Sequence, residues 1–151
     1  MITAMTAKTA MTAPITGFSH IQLLVSDVSA SEKWYTAALG LDVLTRSATG
    51  DYVALIHRPG RVVIVLTPHP SGRPTDGALD HGVLDHGVLD HGVLDHIAFA
   101  VPDGPTLQTW ADQLTEAGID HPGIVLELGK PSLQLRDPDG IAVELVAPAP
   151  R

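Results

Sequence analysis

An internal duplication constrains this chain more than any other feature. Displaced by 76 residues, the first half of the sequence falls on the second with five identities in the fifteen ungapped positions from His20 to Trp34. His20 meets His96, Ile21 meets Ile97, Val25 meets Val101, Asp27 meets Asp103 and Trp34 meets Trp110. A repeat of this size reads as a supersecondary module that cannot bury its apolar face alone, so the two copies are expected to share a core. A length of 151 residues suits one such domain, and 44% hydrophobic against 17% charged residues supplies the apolar surface to pack it.

Each copy reads as strand, helix, strand, strand, strand. In the first, Phe18 to Val25 is a strand-length apolar run. Ser29-Ala30-Ser31-Glu32 has the form of a capping box and predicts the start of a helix. Trp34, Ala37, Ala38 and Leu41 follow at helical spacing, with Gly40 as the stop. Asp42 to Arg46, Tyr52 to His57 and Val62 to Thr67 are strands, separated by Thr49-Gly50-Asp51 and Pro59-Gly60. In the second copy Leu94 to Val101 is a strand, and Leu107, Trp110, Ala111, Leu114 and Ala117 form a helical stripe that ends at Gly118. Ile124 to Leu128, Leu133 to Arg136 and Ile141 to Val146 are strands, the last two joined by the turn Asp137-Pro138-Asp139-Gly140. The predicted fold is α+β: two βαβββ modules, each a mostly antiparallel sheet with a helix on its convex side and Trp34 or Trp110 in the helix–sheet core.

Residues 1–16, rich in Thr and Ala, are expected to be a disordered tail. Module one then covers 17–67, a linker 68–93 and module two 94–148. The linker holds GALDH followed by three copies of GVLDH, a period of five that fits neither helix nor strand. A His/Asp metal-binding tract is one reading. A repeat expansion in a permissive loop is preferred, because long insertions in surface loops cost little. Only the last copy runs into IAFAV, so His96, not His81, His86 or His91, begins the second module.

Charge and composition narrow the function. A formal net charge of −8 with scattered basic residues argues against nucleic acid and against an anionic membrane surface. Cysteine is absent, so any metal site draws on His, Asp, Glu or water. No apolar run approaches the ~18–20 residues of a membrane-spanning helix, and the expected location is the cytoplasm.

Strand parity then singles out a constellation. Ile21, Leu23 and Val25 share one face, opposite His20 and Gln22. Ile97, Phe99 and Val101 oppose His96, and Ile141, Val143 and Leu145 oppose Glu144. If the bulky faces pack under the helices and the sheets curl around one centre, His20, His96 and Glu144 converge in a single concavity. Two His and one carboxylate hold a divalent metal on one side and leave other positions open for substrate. By the same parity Gln22, Tyr52, His57, Gln134 and Arg136 are candidates to line the cup. Arg136 suits a carboxylate or phosphate, whereas His57, beside Arg58-Pro59-Gly60, also reads as a strand-end surface residue.

The frames HIQLLVSDVSASEKWYTAALGL, LDHIAFAV and DPDGIAVELVAP resemble the signature segments of the vicinal oxygen chelate superfamily, which includes glyoxalases, bleomycin-resistance proteins and extradiol dioxygenases. The resemblance implies paired βαβββ modules in a cup-like incomplete barrel around one divalent metal (Fe, Mn, Zn, Ni or Co), with His20, His96 and Glu144 as ligands. It implies a small-molecule substrate, chelated through vicinal oxygens, and a homodimer. At the family's fourth ligand position, near Val65 to Thr67, this chain has neither Glu nor Gln, so the implied set has three members, closer to the dioxygenase and fosfomycin-resistance branches. The alternative is a metal-free protein of the bleomycin-binding type that sequesters an antibiotic.

Overall fold

A computed structural model describes residues 18–69 and 94–151. The expected tail and the GVLDH tract lie outside the described residues. Module one contains β1 (Ile21–Val25), α1 (Val28–Leu39), β2 (Asp42–Arg46), β3 (Val53–His57) and β4 (Val62–Pro68). Module two contains β5 (His96–Ala100), α2 (Gly104–Glu116), β6 (Ile124–Glu127), β7 (Lys130–Arg136) and β8 (Ala142–Val146).

Each module forms one four-stranded sheet, ordered β1-β4-β3-β2 and β5-β8-β7-β6. The first and last strands of each module pair in parallel, and every other pair is antiparallel. The helix makes this possible, because a parallel neighbour needs a crossover connection and not a hairpin. The α+β fold of two open βαβββ sheets, with no closed barrel among the described residues, is therefore as expected.

Local chemistry sets most boundaries. Gly40 stops α1 with φ 64°, a left-handed conformation that glycine adopts without a Cβ penalty. The β6–β7 hairpin turns on Leu128 and Gly129, both with positive φ. The start of α1 differs from expectation. Its N-cap is Asp27, whose carboxylate accepts from the Ala30 amide at 3.0 Å, and not the Ser29 capping box. Glu32 is drawn instead to Arg46 at 2.9 Å. The equivalent residue Asp103 caps α2 in the same way, accepting from Thr106 N at 2.8 Å. The repeat preserved the cap even where the flanking residues changed.

The core is continuous across the modules, with Leu23, Val25, Leu55, Ile64 and Leu66 from one and Leu107, Leu114, Leu133, Val143 and Leu145 from the other. Trp34 and Trp110 are only partly buried and pack against this cluster. The fully buried aromatic on α1 is Tyr35, edge-on to Trp34 with ring centroids 4.9 Å apart.

Tyr35 also closes the junction between modules. Its hydroxyl donates to Asp137 Oδ2 at 3.0 Å, in the turn between β7 and β8. Asp139 in the same turn accepts from Ser26 N at 3.1 Å and from Ser31 Oγ at 3.4 Å. Asp137 Oδ1 accepts from the amides of Asp139 and Ile141 at 2.9 and 2.8 Å, bracing the turn internally. Burial pushes the Asp137 carboxyl above the ordinary carboxylate range, although these hydrogen bonds pull the other way. Burial, with Asp137 adding to it, likewise pushes the Tyr35 phenol up.

The raised value sets a sign for pH dependence. The folded state holds the Asp137 proton more tightly than the unfolded chain, so the stability this group contributes is complete at low pH and is lost as pH rises through its raised pKa. Asp137→Asn keeps an oxygen for the two amides and turns an amide toward Tyr35. In urea titrations the stability of wild type relative to Asp137→Asn should fall as pH rises above about 4, the value of a carboxyl in the unfolded chain. A constant or rising difference would contradict the assignment.

Candidate functional site

The open face of module two gathers several polar side chains. Register places Ala98 opposite Glu144 and Gln134 opposite Glu144 on its other side, so His96, Glu144 and Gln134 share one face of three adjacent strands. His96 Nε2 lies 3.6 Å from Glu144 Oε2. The other Glu144 oxygen accepts a short hydrogen bond from Ser132 on β7. Glu144 is 9% exposed, so two polar partners compensate for burying its carboxylate. His96 Nδ1 meets Asp95 Oδ2 at 2.7 Å. A carboxylate on Nδ1 leaves Nε2 aimed at Glu144, the orientation of a metal-ligating imidazole. Gln134 donates to Glu127 at 2.9 Å, and Arg136 donates to the Gly140 carbonyl at 3.0 Å. Asp95, His96, Glu127, Gln134, Arg136 and Glu144 line a cavity of about 170 Å³.

Module one contributes differently. His20 stands just before β1, exposed, with its Nδ1 3.1 Å from Ser19 Oγ. It lines a cavity of about 780 Å³ together with His96, Phe18, Arg61, Leu94 and Phe99. Among the described residues no three His, Asp or Glu side chains are grouped as metal ligands. Gln22 is tied to Thr67 Oγ1 at 3.4 Å. Tyr52 is exposed just before β3, with its backbone bonded to Ser47. His57 ends β3 and turns away from this face. Its Nδ1 accepts from Gly60 N at 3.1 Å, and it lines a separate cavity beneath the helices. Of the eight residues singled out from the sequence, His96, Glu144, Gln134 and Arg136 are brought together.

Sequence reasoning missed Ser132, Asp95 and Glu127. Ser132 was legible in principle, two positions before Gln134 on the same strand and hence on the same face. Asp95 lies in the expected strand Leu94 to Val101, on the face opposite His96, so parity gave no reason to single it out.

The family model described as the Glyoxalase/Bleomycin resistance protein/Dioxygenase superfamily matches residues 17–145. The chain belongs to this superfamily. Among solved structures it is similar to a glyoxylase/bleomycin resistance protein/dioxygenase domain from Frankia sp. EAN1pec, at 27% identity and TM-score 0.69 over 89% of this chain and 98% of that one. It has the fold of a lactoylglutathione lyase from Agrobacterium tumefaciens, at 21% identity and TM-score 0.64 over 89% and 96% of the two chains. It also has the fold of TnmS3, an antibiotic binding protein from Streptomyces sp. CB03234, at 18% identity and TM-score 0.66 over 91% and 99%. No curated protein matches the sequence. No helix among the described residues is long and apolar enough to cross a membrane.

The hydrogen bond to Asp95 is the leading reason why the His96 imidazole lies above its ordinary 6.5, with Glu144 adding to it. In chelator-treated protein, an NMR titration of the His96 ring should give a midpoint above that value. Asp95→Asn should bring it down, and an unmoved midpoint would remove Asp95 as the cause.

Proposed function

We propose that the chain is a glyoxalase/dioxygenase-like metalloenzyme that acts on a small organic molecule presenting two adjacent oxygens to a divalent metal. The observation that carries this reading is the His96–Glu144 pair, 3.6 Å apart, with Asp95 behind the imidazole. Those donors fit a metal: one neutral nitrogen, one partly desolvated carboxylate, and a second carboxylate holding the tautomer. His96 and Glu144 are the ligands in this reading, and His20, on the wall of the cavity it shares with His96, is the third. When bound, the metal (Fe, Mn, Zn, Ni or Co) supplies Lewis-acid or, for iron, redox chemistry. Ser132 holds the Glu144 carboxylate in place. Gln134 and Arg136 offer hydrogen-bond donors to the substrate's polar end. Neither Tyr52 nor His57 lines the cavities that hold His96, Glu144 and His20. A homodimer belongs to the same proposal, supported by the exposed apolar side chains Leu44 on β2 and Leu126 on β6.

A metal-free small-molecule binding protein is the second reading; the Streptomyces relative is an antibiotic binding protein, and one observation favours this reading here. The module-one wall of the large cavity presents Phe18, Ile21, Arg61 and Val62 and no carboxylate.

Metal analysis decides between the two. Untagged protein purified anaerobically should carry equimolar metal by mass spectrometry. Glu144→Ala and His96→Ala should each lose it, and His20→Ala should bind it at least tenfold more weakly. Wild-type protein that stays metal-free after reconstitution would overturn the metalloenzyme reading in favour of the binder.

A further inference from the structure

The duplication builds the junction between modules twice, and the two versions differ. In one, α1 meets the β7–β8 turn, and the space between them is filled by Tyr35, fully buried, with its hydroxyl on Asp137. In the other, α2 meets the β3–β4 turn. The 76-residue register puts Ala111 where α1 has Tyr35, and Leu107 where it has Ser31. The matched ladder pairs Ile21–Ile64 and Ile97–Val143 make Val62 the counterpart of Ile141. His57, which pairs with Val62, is then the counterpart of Asp137, whose amide bonds to Ile141. The phenol of the first junction has thus been deleted from the second, and the acceptor it met has been replaced by an imidazole.

A cavity of about 430 Å³ lies at this second junction, lined by Leu39, Leu41, Phe99 and Trp110 as well as His57 and Thr106. Its volume is within the range of small-molecule sites. The walls are mainly apolar, and apolar cavities take up aromatic solutes more readily than water. Among the side chains that line it, His57 and Thr106 carry directional groups. His57 Nδ1 accepts from Gly60 N, so the neutral ring carries its proton on Nε2 and can donate it. Trp110 and His57 are only partly buried, which leaves a way in from solvent.

We propose that this cavity is a second ligand site, for a phenol-sized aryl compound whose oxygen accepts a hydrogen bond from His57. The ligand would lie between Trp110 and His57, the counterparts of Trp34 and Asp137 in the other junction. This site is on the helix side of the sheets, and none of its lining residues is a candidate metal ligand, although Gly60, Val62 and Phe99 also line the larger cavity beside His20 and His96.

The probe is p-cresol, the side chain of tyrosine as a free molecule, with toluene for comparison. It is titrated by ¹H–¹⁵N NMR into chelator-treated full-length protein. Saturable shifts are expected at the Trp110 indole and around His57, with toluene binding severalfold more weakly than p-cresol. Ala111→Tyr restores the missing ring and should weaken p-cresol binding at least tenfold. Thr106→Phe, at a half-buried position on the rim, provides a second way to fill the space should Ala111→Tyr not fold. The proposal is overturned by no saturable shift at Trp110 up to the solubility of p-cresol. Shifts centred on His96 and Glu144 instead, or undiminished affinity in whichever filled variant is folded, would overturn it equally.

Discussion

A buried phenol meeting a buried carboxylate holds the two modules in register. Tyr35 and Asp137 are 102 residues apart in sequence, and each would be costly to bury alone. Paired, and with Asp139 taking Ser26 and Ser31 of module one, they tie the start of α1 to a single turn of module two. The turn is itself rigid, because Asp137 also accepts from two of its own amides. Among the described residues no buried side-chain nitrogen or oxygen lacks a partner. A fully satisfied polar network of this kind specifies one arrangement, where an apolar contact would tolerate several. Where β1 lies relative to β5 and β8 follows from it, and so does the distance from His20 to the His96–Glu144 pair.

The parallel pairing of first and last strands sets the second constraint. It places β8 between β5 and β7, so a carboxylate at its centre is flanked by side chains from both neighbours. Glu144 uses both: His96 from β5 and Ser132 from β7. Its burial and its partners are one fact, since the strands that remove water also supply the polar groups. Leu133, Val143 and Leu145, pointing the other way, anchor the same strands to the core with at most 3% exposure.

What could be read from the sequence was whatever depends on local period. The duplication, the glycine stop at Gly40, the turn at 137–140 and the alternation that separates Glu144 from Val143 and Leu145 need only a few neighbouring residues, and each agrees with the structure. Errors appear where two remote segments compete for one side chain. Glu32 completes a capping box on paper, but Arg46 across the module takes it, and Asp27 caps the helix instead. Trp34 outranks Tyr35 as an apolar residue, yet Tyr35 is the one buried, because Asp137 offers its hydroxyl a partner. The assembly of His20 with His96 and Glu144 was inferred from parity, which assigns a face but not a distance. Parity brought His96, Glu144, Gln134 and Arg136 together because they share one sheet. For His20, in the other module, parity gives a face and leaves the distance open.

The departures from symmetry carry the chemistry. Under the ladder registers, Gln22 faces Val65 where Ala98 faces Glu144. Module one therefore has an aliphatic side chain at the position of the buried carboxylate, and Ala54 at the position of Gln134. One carboxylate also suits a half-buried site in a chain of net charge −8 better than two facing each other across the seam, where like charges would repel. The helix side shows the reverse division. There module two supplies the closed junction's Asp137 and Asp139, and module one supplies the turn whose partner helix lacks the ring. A duplicated fold needs its symmetry only in the caps, crossovers and apolar faces that build the core. Each place where one copy has lost a side chain that the other keeps is thereby released for binding something that is not the protein.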